Sequence, residues 1–205
     1  NKLHWERLFS ERSPTELSWF RPHLEISLQL ITKSIPTTAS LIDVGGGDST
    51  LVDDLLRAGY SRVTVLDLSE AALSRARDRL GETGKSVRWL EGDITQIAPE
   101  PESFDLWHDR AAFHFLTDPV ARSHYAGLCE QALKSEGTLI IATFAQDGPE
   151  RCSGLPTMRY GQEDMEKQFG GSFQLKEAIR ELHTTPAGKV QSFLYCRFKK
   201  GRAPA

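Results

Sequence analysis

The chain has 205 residues, of which 25 are basic and 28 are acidic, and its net charge is −3. This length suits one domain with its own core, and the acidic balance argues against DNA or RNA as the main partner, since nucleic-acid binders usually carry a basic surplus. No apolar run reaches the about 18 residues of a membrane span or resembles a secretory signal, and the three cysteines lack the spacing of a zinc ribbon or a disulfide framework. We therefore expect a cytoplasmic protein without a metal site.

The first forty residues predict two helices separated by a turn. Apolar residues at helical spacing favour a helix over residues 1–12, and Ser13, Pro14 and Thr15 mark the turn. A second helix is expected to begin near Pro22 and to end before Pro36. Pro22 suits a first helical turn, because its missing N–H would have no partner there. We expect residues 1–38 to form a helical segment in front of the core.

From residue 40 onwards, short apolar runs alternate with amphipathic segments. The predicted strands cover residues 41–44, 62–66, 87–90, 104–107 and 138–144, and the predicted helices cover residues 49–58, 70–80 and 119–133. Ser69 is the expected N-cap of the helix at 70–80. Parallel neighbouring strands need a helical crossover, so this alternation predicts a doubly wound α/β fold with a mostly parallel sheet and helices on both faces.

The C-terminal part has a different pattern. Residues 173–181 and 191–199 are two strand-like runs joined by a turn with Pro186 and Gly188, which predicts an antiparallel hairpin added to the sheet. We expect a single domain over residues 1–205, with the core at 39–145, a loop at 146–160, and a helix and hairpin at 161–200. The last five residues, 201–205, are predicted to fray.

A glycine-rich loop at the end of the first strand is the strongest functional signal. It consists of Gly45, Gly46 and Gly47, and a helix follows it. Ligands of doubly wound sheets bind at the carboxyl ends of the strands, and glycine lets the backbone approach a ligand closely. The loop is not a Walker motif, and the dinucleotide fingerprint needs Gly or Ala where Thr50 stands. We interpret the segment as a ligand-binding loop.

Four motifs in sequence order resemble those of the class I, seven-β-strand S-adenosylmethionine-dependent methyltransferases. The first is acid-x-Gly-x-Gly-x-Gly, which Asp43, Gly45 and Gly47 match, while Ser49 replaces the third glycine. The resemblance covers residues 40–144, and the C-terminal hairpin agrees with the family's antiparallel last strand. It implies a Rossmann-like sheet of seven strands, S-adenosylmethionine as the cofactor and S-adenosylhomocysteine as the product. It also implies in-line displacement, which needs no metal.

The next two motifs imply contacts to the adenosine part of the cofactor. Asp67 ends the second strand, where a carboxylate would accept hydrogen bonds from both ribose hydroxyls. Asp93 resembles the acceptor for the adenine amino group, with Ile94 against the ring. The alternatives are an acid at a helix N-terminus for Asp67 and a turn residue for Asp93. The expected cofactor contacts are Trp19, Asp43, Gly45, Gly46, Gly47, Asp67, Leu68, Asp93, Ile94 and His108.

The fourth motif supplies the candidate catalytic bases. Residues 104–118 resemble a strand that runs into the string His-His-Leu-Pro-Asp, and His114 takes the place of its first histidine. A base helps where the acceptor carries a proton at neutral pH, and histidine titrates near that range. The candidates are His108, Asp109 and His114. The alternatives are an outward side chain for His108, a packing role for His114, and an ion pair of Asp109 with Arg110 or with the loop.

The substrate side is expected in two segments outside the motifs. Trp5 and the run Trp19-Phe20-Arg21 form an aromatic and cationic cluster, and the loop at 146–160 follows the fifth strand as a lid. Its two arginines would recognise an anionic substrate or the cofactor carboxylate, and Cys152 is either a substrate-side thiol or a buried inert residue. The expected substrate contacts are Phe20, Arg110, Arg151, Cys152, Arg159 and Tyr160.

Three functions compete for this sequence. The leading one is methyl transfer to a small molecule, with a thiol or another soft nucleophile as acceptor, by a monomer or homodimer. The second is protein lysine N-methylation, because residues 4–9 and 17–20 resemble the aromatic patterns of eukaryotic lysine methyltransferases. The third is an NAD(P)-binding oxidoreductase or a non-catalytic nucleotide-binding module. A closed pocket under the loop at 146–160 favours the first function, and a wide acidic or aromatic channel favours the second.

Overall fold

The computed structural model describes residues 2–201, so Asn1 and residues 202–205 of the expected frayed tail lie outside the described range. The N-terminal part contains helix α1 (Lys2–Glu11), a short 3-10 helix (Pro14–Glu16) and helix α2 (Glu25–Thr32). The prediction that the second helix begins near Pro22 is wrong by three residues. Leu24 has φ −100° and ψ 73°, outside the helical region, so the helix starts only after it.

Strands and helices alternate through the core. Its elements are β1 (Ser40–Val44), α3 (Leu51–Arg57), β2 (Arg62–Asp67), α4 (Glu70–Leu80), β3 (Arg88–Glu91), β4 (Phe104–Arg110), α5 (Pro119–Ala132) and β5 (Leu133–Ala145). The Ser69 hydroxyl accepts a hydrogen bond from the Ala72 N–H at 3.2 Å, which confirms Ser69 as the N-cap of α4. Asp118 caps α5 in the same way, and Pro119 fills the first helical position.

The segment after β5 has more structure than an irregular loop. It contains the two-residue strands β6 (Arg151–Cys152), β7 (Leu155–Pro156) and β8 (Arg159–Tyr160), and α6 (Gln162–Phe169), β9 (Phe173–Thr184) and β10 (Val190–Lys200) follow. β6 and β7 form an antiparallel hairpin, and β8 pairs in parallel with the end of β5. The predicted loop at 146–160 therefore contains short paired strands that the sequence does not reveal, since strands this short leave no periodicity.

The sheet has the order β3-β2-β1-β4-β5-β10-β9, with β8 beside β5. The five strands from β3 to β5 are parallel, and β10 runs antiparallel to both β5 and β9. The predicted fold class is confirmed: a doubly wound, Rossmann-like α/β fold with seven main strands and an antiparallel C-terminal hairpin. β8 adds a short eighth strand.

Alternating residues of the strands supply two apolar layers. Leu41 and Leu106 face the layer that contains α2 and α3, whereas their neighbours Ile42 and Trp107 face the layer that contains α5 and α6. Successive strand residues point to opposite faces of a sheet, so one apolar run fills both layers. Within residues 2–201, no helix combines the length and the apolar character that a membrane crossing requires.

Helix α1 is attached to the N-terminus of α4 through one carboxylate. Glu6 accepts hydrogen bonds from the Ser69 hydroxyl at 2.7 Å and from the N–H groups of Glu70 and Ala71 at 3.0 Å each. These hydrogen bonds hold the pKa of Glu6 below its usual value, although burial opposes them. Free N–H groups and the helix dipole attract a negative charge at this end of a helix. The contact therefore fixes α1 at the carboxyl edge of the sheet.

Candidate active site

A cavity of about 350 Å³ lies at the carboxyl edge of the sheet, beside the ends of β1, β2, β3 and β4. Cofactor and ligand sites usually measure about 300–1,000 Å³. The strand order reverses between β1 and β4, which is where doubly wound sheets bind their ligands. Six of the expected cofactor contacts meet in its wall: Trp19, Gly45, Asp67, Leu68, Asp93 and Ile94.

The glycine loop forms part of the cavity wall. Gly45 and Gly47 have φ angles of 70° and 48°, in the left-handed region that favours glycine. A Cβ at Gly45 would stand 2.5 Å from the Cβ of Ala112, so the backbone passes too close to the segment that follows β4 for any other residue. Gly46 and Asp43 line a second, smaller cavity of about 40 Å³, whose wall shares Trp19, Gly45 and Arg110 with the larger cavity.

Asp67 places a buried carboxylate against the cavity. The residue is 7% exposed, and its Oδ1 accepts the Ser69 N–H at 2.8 Å. Burial raises the pKa of Asp67 to about 7; the hydrogen bond from Ser69 opposes this, while the charges of Asp48 and Asp43 add to it. A Cβ at Gly47 would stand 3.1 Å from Asp67 Oδ2. Hydroxyl donors of a ligand would stabilise the ionised form of this carboxylate.

Asp93 and Ile94 line the cavity beyond the end of β3. Asp93 Oδ1 accepts hydrogen bonds from the Thr95 N–H at 2.9 Å and from the Thr95 hydroxyl at 2.7 Å, which fixes the carboxylate in a turn. The turn and the ligand-facing position are therefore compatible, although the sequence presents them as alternatives. Gly92 completes this wall, and its N–H donates to the Asp67 carbonyl at 2.9 Å.

An aromatic wall closes the cavity on the side of the N-terminal segment. Trp5 stands edge-on to Trp19 and to Phe115, with ring centroids 5.9 Å and 5.0 Å apart, and Phe9 lies 6.1 Å from Trp19. All four rings line the cavity. Sequence reasoning missed Phe9 and Phe115. The sequence contains a signal for Phe9, because Phe9 follows Trp5 by four residues and therefore lies on the same face of α1 as Trp5.

His108 is enclosed beside the smaller cavity and does not line the larger one. Its Nδ1 lies 2.7 Å from Asp43 Oδ1 and its Nε2 lies 2.9 Å from the Ser27 hydroxyl, and the residue is 1% exposed. The ring lines the smaller cavity together with Asp43. Both ring nitrogens are engaged in this buried chain, so the outward side chain considered for His108 is not found.

Asp109 organises the backbone after β4 instead of facing the cavity. Its carboxylate accepts the N–H groups of Ala112 and Phe113 at 3.0 Å and the Tyr125 hydroxyl at 2.5 Å. Burial raises the pKa of Asp109 to about 6, and the hydrogen bonds from Tyr125 and the two N–H groups oppose the shift. These hydrogen bonds hold the turn after β4 and connect it to α5. The ion pair considered between Asp109 and Arg110 does not form.

His114 is fully buried and lies outside both cavities. Its Nδ1 accepts the Phe144 N–H at 3.4 Å, and among the described residues its Nε2 has no hydrogen-bond partner. Burial, with the positive charge of Arg110, lowers the pKa of His114 to about 3, so the ring is neutral at pH 7. The ring packs on Phe115 and Phe144, with centroids 4.5 Å and 4.6 Å away. These contacts agree with the packing role that the sequence left open for His114.

Two of the six expected substrate contacts line the larger cavity, Arg110 and Cys152. Burial raises the pKa of the Cys152 thiol, so it stays protonated at neutral pH, and its Sγ lies 3.8 Å from the Ser18 hydroxyl. The β6–β7 hairpin also contributes Leu155 and Pro156 to the cavity wall. The expected lid therefore reaches the site through the hairpin at 151–156.

The other four expected substrate contacts point elsewhere. Phe20 packs in the apolar cluster around Phe9, and Arg151 is exposed and bonds the Gly154 carbonyl. Arg159 pairs with Glu150 at 2.9 Å, and Tyr160 is buried against Phe113. Among the residues that the structure describes, no group of three or more His, Cys, Asp or Glu side chains is arranged to hold a metal ion.

Comparison with known proteins agrees with this geometry. Residues 41–137 match the model of a family described as a methyltransferase domain. A mouse (Mus musculus) eEF1A lysine and N-terminal methyltransferase is 27% identical over 116 residues, which make up 56% of this chain and 16% of the mouse protein. The chain thus spans well under two thirds of this relative's length.

Solved structures resemble the chain over nearly its whole length. A protein from work on the conversion of a disulfide bond into a thioacetal group during echinomycin biosynthesis has a TM-score of 0.80 and 18% identity, over 98% of this chain and 93% of that one. The N-methyltransferase NodS from Bradyrhizobium japonicum WM9, in complex with S-adenosylhomocysteine, has a TM-score of 0.72 and 19% identity, over 97% of each chain. At this level of identity the likeness concerns the fold.

Proposed function

This chain belongs to the class I S-adenosylmethionine-dependent methyltransferases, and we propose that it transfers a methyl group to a small-molecule acceptor with a soft nucleophile such as a thiol. S-adenosylmethionine supplies the methyl group on a positively charged sulfur, so the acceptor's lone pair forms the new bond as the carbon–sulfur bond breaks.

The residues of the cavity fit this cofactor. Asp67 offers a buried carboxylate for a pair of hydroxyls, and Asp93 and Ile94 offer an acceptor and an apolar surface for a base. The glycine loop lets the backbone lie close to the cofactor, and a Cβ at Gly45 would push Ala112 out of its place in the cavity wall. Asp43, held by its contact to His108, faces the smaller cavity next to the loop, where the amino-acid part would lie.

The composition of the remaining wall carries the proposal. We call acceptor half the part of the cavity wall that is lined by Trp19, Arg110, Phe115, Cys152, Leu155 and Pro156. Within the described part of the chain, the only carboxylates that line the cavity are those of Asp67 and Asp93, and both lie outside the acceptor half. No histidine of the described residues lines the cavity. Without a base at hand, an acceptor must react through a lone pair that needs little help, as a thiolate does.

The hairpin at 151–156 supports a small acceptor. Leu155 and Pro156 line the cavity next to Cys152, so the hairpin takes up room that an extended peptide would need.

A protein substrate is the second candidate, and the sequence relatives favour it. The mouse relative is a lysine and N-terminal methyltransferase, and its likeness covers 56% of this chain. An amine must lose its proton before it attacks, and an exposed route to the cavity is needed for a lysine side chain. The two candidates therefore differ in acceptor chemistry and in acceptor size.

A coupled assay for S-adenosylhomocysteine release tests the proposal. The purified chain is supplied with S-adenosylmethionine and, in parallel, with small thiols, small amines, carboxylic acids, lysine peptides and peptides with a free N-terminus. We expect release with the small thiols. Release with the peptides alone would establish the second candidate, and no release with any acceptor from a chain that binds S-adenosylhomocysteine would overturn the proposal. Asp67→Asn serves as the control for cofactor-dependent signal.

A further inference from the structure

The strand order arranges the site along one line. Asp93 follows β3, Asp67 ends β2, Gly45 follows β1, and Arg110 ends β4. Neighbouring strands are about 4.8 Å apart, so Asp93 and Arg110 are separated by three spacings, or roughly 14 Å along the edge. An adenosine group at Asp93 and Asp67 therefore leaves Arg110 at the far end, where it lines both the acceptor half of the larger cavity and the smaller cavity.

Arg110 has one guanidinium nitrogen without a hydrogen bond. Its Nε donates to the Tyr195 hydroxyl at 2.8 Å, and its Nη1 donates to the Trp19 carbonyl at 3.3 Å. Nη2 is buried and has no hydrogen-bond partner among residues 2–201; Glu181 Oε2 is 3.7 Å away, too far for a hydrogen bond. The side chain is 5% exposed and lines the cavity.

The surrounding charges leave this guanidinium only partly compensated. Glu181 is the nearest carboxylate, but it also pairs with Arg21 and accepts the Tyr195 hydroxyl at 3.0 Å. The Cys152 thiol and the His114 ring, which both lie in the field of Arg110, are uncharged at neutral pH. A buried donor that lacks a partner costs free energy, and an anion in the cavity would remove this cost.

We propose that the methyl acceptor carries a carboxylate or a similar oxyanion, which binds Arg110 Nη2 in the acceptor half of the cavity. This inference rests on the proposed function and adds the charge of the substrate to it. An N–H donor on a guanidinium and a carboxylate form a charge-assisted hydrogen bond, roughly twice as strong as a neutral one. Arg110 is fixed by Tyr195, Trp19 and the ring of Phe193, 4.5 Å below it, so little side-chain entropy is lost on binding.

Calorimetry on the complex with S-adenosylhomocysteine tests the proposal without turnover. The probes are 2-mercaptobenzoate and 2-mercaptobenzamide, which have nearly the same shape and differ in charge. We expect the carboxylate to bind at least tenfold more tightly to the wild-type protein. We expect Arg110→Gln to abolish this preference and Arg110→Lys to keep part of it. Arg62→Gln, an exposed position on β2, is the control for the loss of one positive charge.

Three results would overturn the inference. The first is equal affinity of the two probes for the wild-type protein, a comparison that needs no variant to fold. The second is a preference that survives in Arg110→Gln. The third is an Arg110→Gln protein that binds S-adenosylhomocysteine more weakly but binds 5′-methylthioadenosine unchanged, because Arg110 would then hold the cofactor's carboxylate. If the carboxylate probe binds more tightly but no thiol is methylated, the proposed function is refuted and the anion site at Arg110 is retained.

Discussion

Asp67→Asn is expected to weaken the binding of adenosine-containing ligands by about 100-fold. Asparagine keeps the shape of the side chain but replaces a charged acceptor by a neutral amide. Hydrogen bonds to charged groups contribute about 1.5–3 kcal/mol each, and the carboxylate has two oxygens for the two ribose hydroxyls. A loss of about 3 kcal/mol corresponds to roughly two orders of magnitude in Kd.

The burial of Asp67 adds a pH dependence to this prediction. With a pKa of about 7 in the ligand-free protein, the carboxylate is mostly protonated at pH 6 and mostly ionised at pH 8. Only the ionised form accepts both hydroxyls, so wild-type affinity should rise about tenfold between pH 6 and pH 8, while the variant's affinity stays flat. Calorimetry with 5′-methylthioadenosine measures this cleanly, because that ligand has no amino-acid part that titrates in the same range.

The same substitution should stabilise the ligand-free protein. A carboxylate whose pKa is raised by folding lowers stability as pH rises from about 4 to 7, and the full cost is present above that window. Asp67→Asn removes the ionised form, so its Tm should exceed the wild-type value at pH 8 and approach it at pH 5. An unchanged Kd in Asp67→Asn, or a wild-type affinity that is flat with pH, would refute the assignment of Asp67 to the ribose.

Three further substitutions test the scaffold of the site. Gly45→Ala should lower stability by at least about 2 kcal/mol in chemical unfolding, because the φ of Gly45 is 70° and the new Cβ would collide with Ala112, whereas Gly171→Ala, with open space around its Cβ, should not. Glu6→Ala should cost about 1–2 kcal/mol and speed proteolysis within α1, since the N–H groups of Glu70 and Ala71 lose their acceptor, while the exposed Glu11→Ala should change little. Tyr125→Phe should cost about 1–3 kcal/mol and leave the Kd of S-adenosylhomocysteine unchanged; a large change in Kd would show that the buried network reaches the ligand.

The cofactor part of the site could be predicted from the sequence because its signals are local. Gly45 stands directly after a strand, and Asp67 and Asp93 end or follow the next two strands. The carboxyl ends of parallel strands lie on one edge of a sheet, so predicting the strands also brings these residues together. The parallel sheet and the C-terminal hairpin follow from the same alternation of apolar runs and turns.

The roles of the residues after β4 could not be read in the same way. His108, Asp109 and Arg110 are consecutive, yet His108 reaches only the smaller cavity, Asp109 reaches the α5 layer, and Arg110 lines both cavities. Which of these sites a side chain meets depends on packing from α2, α5 and the hairpin, which are distant in sequence. Sequence patterns carry no record of such contacts, so the burial of the candidate bases His108, Asp109 and His114 in structural positions became visible only in the fold.

The attachment of α1 through Glu6 bears on how a ligand leaves the cavity. Trp5 and Phe9, on the same helix, line the cavity. Movement of α1 away from the cavity would break three hydrogen bonds to one carboxylate and expose the start of α4. We therefore expect product release to include a conformational step with its own rate, separate from the chemistry. Sequence changes in the first eleven residues would change the rate of product release, and an extension joined in front of them would change the duration of each catalytic cycle.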